Sequence, residues 1–117
     1  MYDIIVIGGG PAGLTAAING KVRNKSVLLL TNDWKHSYLY QTRSIDNYPG
    51  RPGISGAKLL DELVSHAKML GTEIECKRVL TIVPMGDHFY VAAGTRAEQA
   101  KKIILTIGTG MHAKLPG

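Results

Sequence analysis

The glycine-rich segment Gly8-Gly9-Gly10-Pro11-Ala12-Gly13 constrains the fold of this chain more than any other feature. It directly follows an apolar run from Asp3 to Ile7, which is typical of a central strand in a parallel sheet. Apolar side chains then recur at the spacing of a helix, at Leu14, Ala17, Ile18 and Val22. A second apolar run from Ser26 to Thr31 follows. This order predicts a right-handed βαβ unit whose first connection is the glycine segment.

The three spaced glycines of this segment have separate physical roles. Gly8 permits a tight turn, Gly10 lets a diphosphate approach the backbone, and Gly13 lets the helix pack closely on the strand. The N-terminus of the following helix offers free N–H groups to negative charge. Pro11 removes an N–H that the first helical turn would leave unpaired. The segment therefore predicts a binding site for a dinucleotide.

The remainder of the chain predicts one long loop, one helix and several short strands. Residues 32–55 show no regular period, and a loop of this length usually has a function, here the enclosure of a cofactor. Ser55 is the expected N-cap of a helix that ends at Gly71. The apolar stripe of this helix comprises Leu59, Leu60, Leu63, Val64, Ala67 and Leu70.

Short strands are expected after this helix. They span Ile74 to Cys76, Arg78 to Pro84, His88 to Ala93 and Ile103 to Ile107, with a hairpin turn at Gly86-Asp87. The predicted fold class is α/β, with a Rossmann-like parallel sheet and a small antiparallel β-meander. We expect residues 1–117 to form a single domain.

Composition excludes several other classes of protein. The chain is 44% hydrophobic and 20% charged, which is ordinary for a globular domain, and it has no apolar run near the ~20 residues of a membrane span. The net charge is +5, but the densest basic group, Lys21, Arg23 and Lys25, complements a helix C-terminus, so we expect no nucleic-acid partner. The single cysteine, Cys76, and the absence of a signal-like N-terminus predict a cytoplasmic protein.

Catalytic and metal-binding patterns are not expected in this chain. The four histidines, His36, His66, His88 and His112, are not spaced as metal ligands. No serine, histidine and aspartate stand in a sequence context typical of a catalytic triad. Cys76 has no partner thiol and is interpreted as a structural residue. The sequence thus predicts no metal site and no catalytic side chain.

The end of the second strand leaves the identity of the nucleotide open. An acidic residue usually binds the adenosine ribose there, whereas this chain has Thr31 followed by Asn32 and Asp33. Thr31 is able to hydrogen-bond a ribose hydroxyl. It equally leaves room for a 2′-phosphate, with Lys35 as the counter-charge, so NADP is an alternative to a dinucleotide that lacks this phosphate.

Several motifs together resemble the N-terminal FAD segment of the thioredoxin reductase family. In order and spacing, these are Gly8 to Gly13, Asn47-Tyr48-Pro49-Gly50, Ile54-Ser55-Gly56 at a helix start, the β-meander, Ile103 to Gly108 and Leu115-Pro116-Gly117. The resemblance covers essentially the whole chain. It is more specific than the glycine segment alone, because other flavoproteins lack Asn-Tyr-Pro-Gly at this place.

The resemblance implies FAD as the cofactor and a role for each matching position. Gly8, Gly9, Gly10, Pro11, Ala12 and Gly13 would hold the pyrophosphate. Thr31, with Asn32 beside it, would hold the ribose, Asn47 the flavin region, and the backbone near Val79 the adenine. Beneath the flavin the family usually has Gly-Gly-Gln-Leu, where this chain reads His36-Ser37-Tyr38-Leu39, so the resemblance implies that Ser37, Tyr38 and Leu39 contact the cofactor. The family's Ala-Thr-Gly before the domain crossover is here Thr106-Ile107-Gly108, and Gly108 is likewise expected at the cofactor.

The resemblance also implies an activity and partners. A protein of this kind is an FAD-dependent oxidoreductase that passes electrons from a reduced donor, through the flavin, to a disulfide or related acceptor, and it is a homodimer at full length. The family's NAD(P)H domain, its Cys-x-x-Cys pair and its C-terminal FAD segment would lie beyond Gly117. Two alternatives remain, an NADP-dependent reductase and a non-catalytic nucleotide-binding module.

Overall fold

The computed structural model describes residues 1–106 of the chain. The strands are β1 (Tyr2–Ile7), β2 (Val27–Thr31), β3 (Glu73–Cys76), β4 (Val79–Pro84), β5 (Phe89–Ala93) and β6 (Arg96–Leu105). The helices are α1 (Pro11–Val22), α2 (Tyr38–Gln41) and α3 (Gly56–Met69), with a 3₁₀ turn at Trp34–His36. The predicted strand end at Ile107, Gly108, His112 and the segment Leu115-Pro116-Gly117 lie outside the described residues.

The strands form a six-stranded sheet in the order β3-β2-β1-β6-β5-β4. The pairs β3·β2, β2·β1 and β1·β6 are parallel, whereas β6·β5 and β5·β4 are antiparallel. The predicted fold class, a Rossmann-like parallel sheet with a β-meander, is therefore confirmed. The two parts are continuous because one long strand, β6, pairs with both β1 and β5, and the change of partner falls at Ala100.

Two hydrophobic clusters lie on opposite faces of this sheet. On one face the buried residues come from β1, β2, α1 and α3, namely Val6, Leu14, Ala17, Ile18, Val27, Leu29, Leu60 and Ala67. On the other face they come from β1, β2, β5 and β6, namely Ile5, Ile7, Leu28, Leu30, Val91, Ala93 and Ala100. Both faces of β1 and β2 are covered, which explains the continuous apolar runs of these strands.

The segment predicted as one long loop is partly helical, which corrects that prediction. The side chain of Asp33 accepts a hydrogen bond from the N–H of Lys35 at the start of the 3₁₀ turn. The side chain of Ser37 accepts one from the N–H of Tyr40 at the start of α2. A helix of four residues is too short to show a hydrophobic period, so the pattern gave no sign of it.

Helix α3 and the strands β3, β4 and β5 agree with the sequence prediction to within one residue at each boundary, and the last strand does not. Ser55 caps α3 by accepting from the N–H of Lys58 at 3.2 Å, and Gly71 follows the helix with a φ of +88°. The Gly86-Asp87 turn lies between Met85 and His88, and the Met85 N–H donates to the His88 carbonyl at 2.8 Å. The last strand, however, starts at Arg96 and not at Ile103.

This early start of β6 has a simple cause. Residues 96–99 are Arg, Ala, Glu and Gln, largely polar and without an apolar run. They are strand because they pair with β5 after a two-residue turn at Gly94-Thr95, in the register Ala93↔Arg96.

Among residues 1–106, no helix has the length and apolar character needed to cross a membrane.

Candidate nucleotide site

The glycine loop (Gly8 to Gly13) connects the carboxyl end of β1 to the N-terminus of α1. Gly8 has a φ of +112°, a conformation that side chains with a Cβ rarely adopt. Its N–H donates to the carbonyl of Leu30 in β2 at 2.9 Å. The loop thus begins at the carboxyl ends of the parallel strands, outside which open α/β sheets bind their ligands.

Three of the loop glycines are required by contacts within the chain. A Cβ at Gly13 would overlap the carbonyl oxygen of Gly8, and a Cβ at Gly8 would overlap the carbonyl oxygen of Thr106. A Cβ at Gly9 would overlap the side-chain hydroxyl of Thr31. Close packing therefore explains Gly8, Gly9 and Gly13 without any ligand.

Gly10 differs from these three glycines. It is half-buried, its φ of −75° is accessible to any residue, and a Cβ built on it would meet no atom within 4 Å. The space next to Gly10 is therefore open. Contacts among the described residues do not account for a glycine there, whereas a ligand lying against the backbone would.

The same residue begins helix α1. Gly10 is the N-cap, its carbonyl accepts from the N–H of Leu14 at 2.9 Å, and Pro11 occupies the first helical position. The first turn of α1 contains no acidic residue. A helix of 12 residues concentrates partial positive charge at this end, and no carboxylate within the first turn offsets it. The arrangement favours an anion beside Gly10.

Thr31 is the last residue of β2 and lies against Gly9 of the glycine loop. Its side chain is buried, with 3% of its surface exposed, and its hydroxyl donates to the carbonyl of Asn32 at 2.9 Å. The oxygen of that hydroxyl keeps a lone pair with which to accept a further hydrogen bond. Asn32 and Lys35 are exposed. Asn32 and Lys35 are therefore accessible to a ligand, whereas Thr31 is almost fully covered. The ribose contact and the phosphate contact considered from the sequence both stay predictions.

The remaining predicted site residues lie on other elements. Ser37 and Leu39 are half-buried, and Tyr38 is 84% exposed. Asn47 is exposed and lies between Ile45 and Ile54, which pair as an isolated bridge. Val79 is half-buried at the start of β4. Among the predicted residues in the described part of the chain, Thr31 lies directly against the glycine loop. The role of each of these residues stays a prediction.

Two residues that contact the glycine loop were missed in the sequence. The indole N–H of Trp34 donates to the carbonyl of Gly9, and the hydroxyl of Thr106 lies 3.0 Å from the carbonyl of Gly8. Neither belongs to the glycine pattern. Two features of the sequence could have drawn attention to these residues. Trp34 is the single tryptophan, and Thr106 stands where the thioredoxin reductase family has alanine.

The shifted pKa values lie away from the glycine loop. The pKa of Tyr2 is raised, chiefly because its hydroxyl donates to the Glu73 carboxylate. The pKa of Asp3 is lowered by hydrogen bonding from the backbone of Ser26, and that of Asp87 by its hydrogen bond with His88. No group of three or more His, Cys, Asp or Glu residues in the described part of the chain is placed to hold a metal ion.

The family model for pyridine nucleotide-disulphide oxidoreductases matches residues 2–117. The chain belongs to this family. Thioredoxin reductase of Bacillus subtilis (strain 168) is 32% identical over 108 residues, which are 92% of this chain and 34% of that protein. The chain thus spans about a third of the length of this curated relative.

Solved structures in this pyridine nucleotide-disulphide oxidoreductase family share the fold. Thioredoxin reductase from Lactococcus lactis is 30% identical with a TM-score of 0.88, covering 97% of this chain and 37% of that one. A ferredoxin-flavin thioredoxin reductase from Clostridium acetobutylicum is 39% identical with a TM-score of 0.83, covering 97% and 39%. The family resemblance predicted from the motifs is therefore confirmed.

Proposed function

We propose that this chain is the FAD-binding part of a thioredoxin-reductase-like flavoprotein oxidoreductase. Residues 1–117 would belong to one FAD-binding domain, and any NAD(P)H site would lie in a domain outside this chain. The observation that carries the proposal is the open space beside Gly10 at the N-terminus of α1. A diphosphate fits this space, because the backbone is accessible there and the helix end favours negative charge.

Each predicted residue has a place in this proposal. The glycine loop would bind the pyrophosphate through backbone N–H groups, and Thr31 would accept a hydrogen bond from a ribose hydroxyl next to Asn32. The adenine would lie near the backbone of Val79. The flavin region would contact Ser37, Tyr38, Leu39, Asn47 and Gly108. When bound, FAD supplies the electron-transfer chemistry, and this chain supplies its placement.

The partners follow from the family and remain part of the proposal. The acceptor would be a disulfide in a protein such as thioredoxin or in a small molecule, and the full-length protein would be a cytoplasmic homodimer. The clostridial relative is named a ferredoxin-flavin thioredoxin reductase. Its identity of 39% favours reduced ferredoxin as a second candidate for the electron donor. This candidate predicts that reduced ferredoxin bleaches the flavin absorbance of the FAD-loaded chain; an unchanged spectrum would exclude it.

The experiment that tests the cofactor is a spectrum of the purified chain. We expect a yellow protein whose flavin is released on denaturation, or an apo chain that takes up added FAD. A colourless chain that binds NADPH and not FAD would favour the NADP alternative, with Thr31 and Lys35 at the 2′-phosphate. Binding of FAD, with no electron transfer from any reduced donor, would favour the non-catalytic module.

A further inference from the structure

Two residues from outside the glycine loop, Thr106 and Trp34, hold three consecutive carbonyl groups that lead into Gly10. The hydroxyl of Thr106 lies 3.1 Å from the carbonyl oxygen of Ile7 and 3.0 Å from that of Gly8. The backbone N–H of Thr106 also donates to Ile7, at 2.9 Å. The indole N–H of Trp34 donates to the carbonyl oxygen of Gly9. Thr106 and Trp34 thus approach the loop from β6 and from the 3₁₀ turn.

Holding these carbonyls also orients the N–H groups of the loop. A trans peptide is planar, and its C=O and N–H point in opposite directions. The bond from Thr106 to the Gly8 carbonyl therefore sets the direction of the Gly9 N–H. The bond from Trp34 to the Gly9 carbonyl likewise sets the direction of the Gly10 N–H. Without these bonds, a glycine-rich loop has more conformational freedom than any other sequence of the same length.

The position of Thr106 also argues for a specific role of its hydroxyl. A Cβ built on either Gly8 or Gly13 would come within 2.7 Å of Thr106 Oγ1. The hydroxyl therefore lies between the loop turn and the start of α1, and its oxygen is part-buried. A methyl group in its place would fill a similar volume but would leave the Gly8 carbonyl without this donor.

We propose that Thr106 and Trp34 are positioning residues that orient the Gly9 and Gly10 N–H groups for the cofactor diphosphate before it binds. This inference rests on the proposed function and assigns two residues that neither the glycine pattern nor the family resemblance names for this role. Orienting the donors in advance reduces the entropy lost on binding, so affinity for a diphosphate rises without a new contact to the ligand.

The test compares substitutions that remove the donor, with the shape kept in Thr106→Val and a smaller apolar ring in Trp34→Phe. Thr106→Val and Trp34→Phe each delete one hydrogen bond, and we expect the Kd for FAD to rise about 5- to 10-fold in each. Thr106→Ser keeps the hydroxyl and should restore affinity to within about twofold of the parent. The exposed Thr81 in β4 provides a matched control, because Thr81→Val makes the same change away from the loop.

A second readout separates this inference from the proposed function. The amide resonances of Gly9 and Gly10 in the ligand-free chain should move in Thr106→Val and Trp34→Phe and should stay in place in Thr81→Val. If the parent does not bind FAD, the proposed function fails, while these resonances still report on the loop. Parent-like Gly9 and Gly10 resonances, or a parent-like Kd for FAD, in both loop variants would overturn the inference. If Thr106→Val does not fold, Trp34→Phe and Thr106→Ser provide the same comparison.

Discussion

At the scale of single residues, Gly10 and Gly13 are glycines for different reasons. A Cβ at Gly13 would overlap the carbonyl of Gly8, so the absence of a side chain at Gly13 allows α1 to pack closely on the loop. A Cβ at Gly10 would meet no atom of the described chain within 4 Å. This contrast distinguishes a glycine that the fold requires from one that a ligand would require.

The contrast predicts opposite outcomes for two substitutions. Gly10→Val should leave the circular dichroism spectrum close to that of the parent and lower the free energy of unfolding by only about 1 kcal/mol, because valine is a poorer N-cap than glycine. It should abolish FAD retention, because the side chain occupies the space for the diphosphate. Gly13→Ala should lower the free energy of unfolding by about 1–3 kcal/mol through overpacking. Unchanged flavin content in a folded Gly10→Val chain would refute this placement of the pyrophosphate.

The residue scale also shows what the sequence was able to predict about the site. Gly8 and Gly13 follow a spacing whose geometric reasons are general, so their positions could be read from the pattern. The contacts of Trp34 and Thr106 could not, because they join residues that are distant in sequence. Thr106 and Gly8 are 98 positions apart, and only the pairing of β6 with β1 brings them together.

At the scale of secondary-structure elements, the start of α3 packs closely on α2. A Cβ at Gly56 would overlap the carbonyl oxygen of Leu39, and the Gly56 N–H donates to the carbonyl of Thr42 at 2.8 Å. Gly56 therefore holds the segment that carries Ser37, Tyr38 and Leu39 against the helical face of the domain. The proposed flavin contacts depend on this packing.

We expect Gly56→Ala to displace α2 and lower the free energy of unfolding by about 1–3 kcal/mol. The Kd for FAD should rise more than the Kd for ADP, because ADP lacks the flavin that α2 would contact. Urea unfolding and two ligand titrations measure these effects. Lys58→Ala alters an exposed side chain in the same helical turn and is the control. An equal loss of affinity for both ligands would argue against a flavin contact at α2.

The strands β1 and β2 are joined at their N-terminal ends by Asp3 and Ser26. The Ser26 N–H donates to the Asp3 carboxylate at 2.9 Å, and the Asp3 N–H donates to the Ser26 hydroxyl at 2.8 Å. The bond from the Ser26 backbone lowers the pKa of Asp3, and the Ser26 hydroxyl at 3.2 Å and Lys101 at 3.4 Å lower it further. The ionised carboxylate therefore stabilises the folded chain.

The sign of this pKa shift fixes a pH dependence. A carboxyl group whose pKa is lower in the folded state contributes stability above its unfolded pKa of ~3.9 and loses it as the pH falls through the folded value. Urea midpoints of the parent and of Asp3→Asn should therefore differ at pH 7 and converge in acid. The exposed Asp61 offers the control Asp61→Asn. A difference that grows as the pH falls would contradict the assignment.

Element boundaries show where the sequence was informative and where it was not. The starts of α1 and α3 were predictable because a glycine loop and an N-cap serine mark them locally. The start of β6 at Arg96 was not, because polar residues there become a strand only through pairing with β5. The same holds for α2, whose single turn is set by Ser37 and by packing on Gly56.

At the scale of the whole molecule, the two faces of the sheet are covered by different elements. Helices α1 and α3 pack on one face, and buried residues of β5 and β6 extend the cluster on the other. The carboxyl ends of β1 and β2 remain as the place where the glycine loop, Thr31 and the N-terminus of α1 meet. This edge of the sheet is therefore where the proposed nucleotide site lies.

The most direct test of this account is an amide-resolved NMR titration of the chain with ADP, the half of FAD that carries the diphosphate and adenosine. We predict the largest shift changes at the amides of Gly9, Gly10, Ala12, Gly13 and Asn32, since these surround the proposed site. The amides of the hairpin at Gly86-Asp87 should hardly change. Shift changes confined to the meander, or the absence of any change in the glycine loop at saturating ADP, would contradict the central claim.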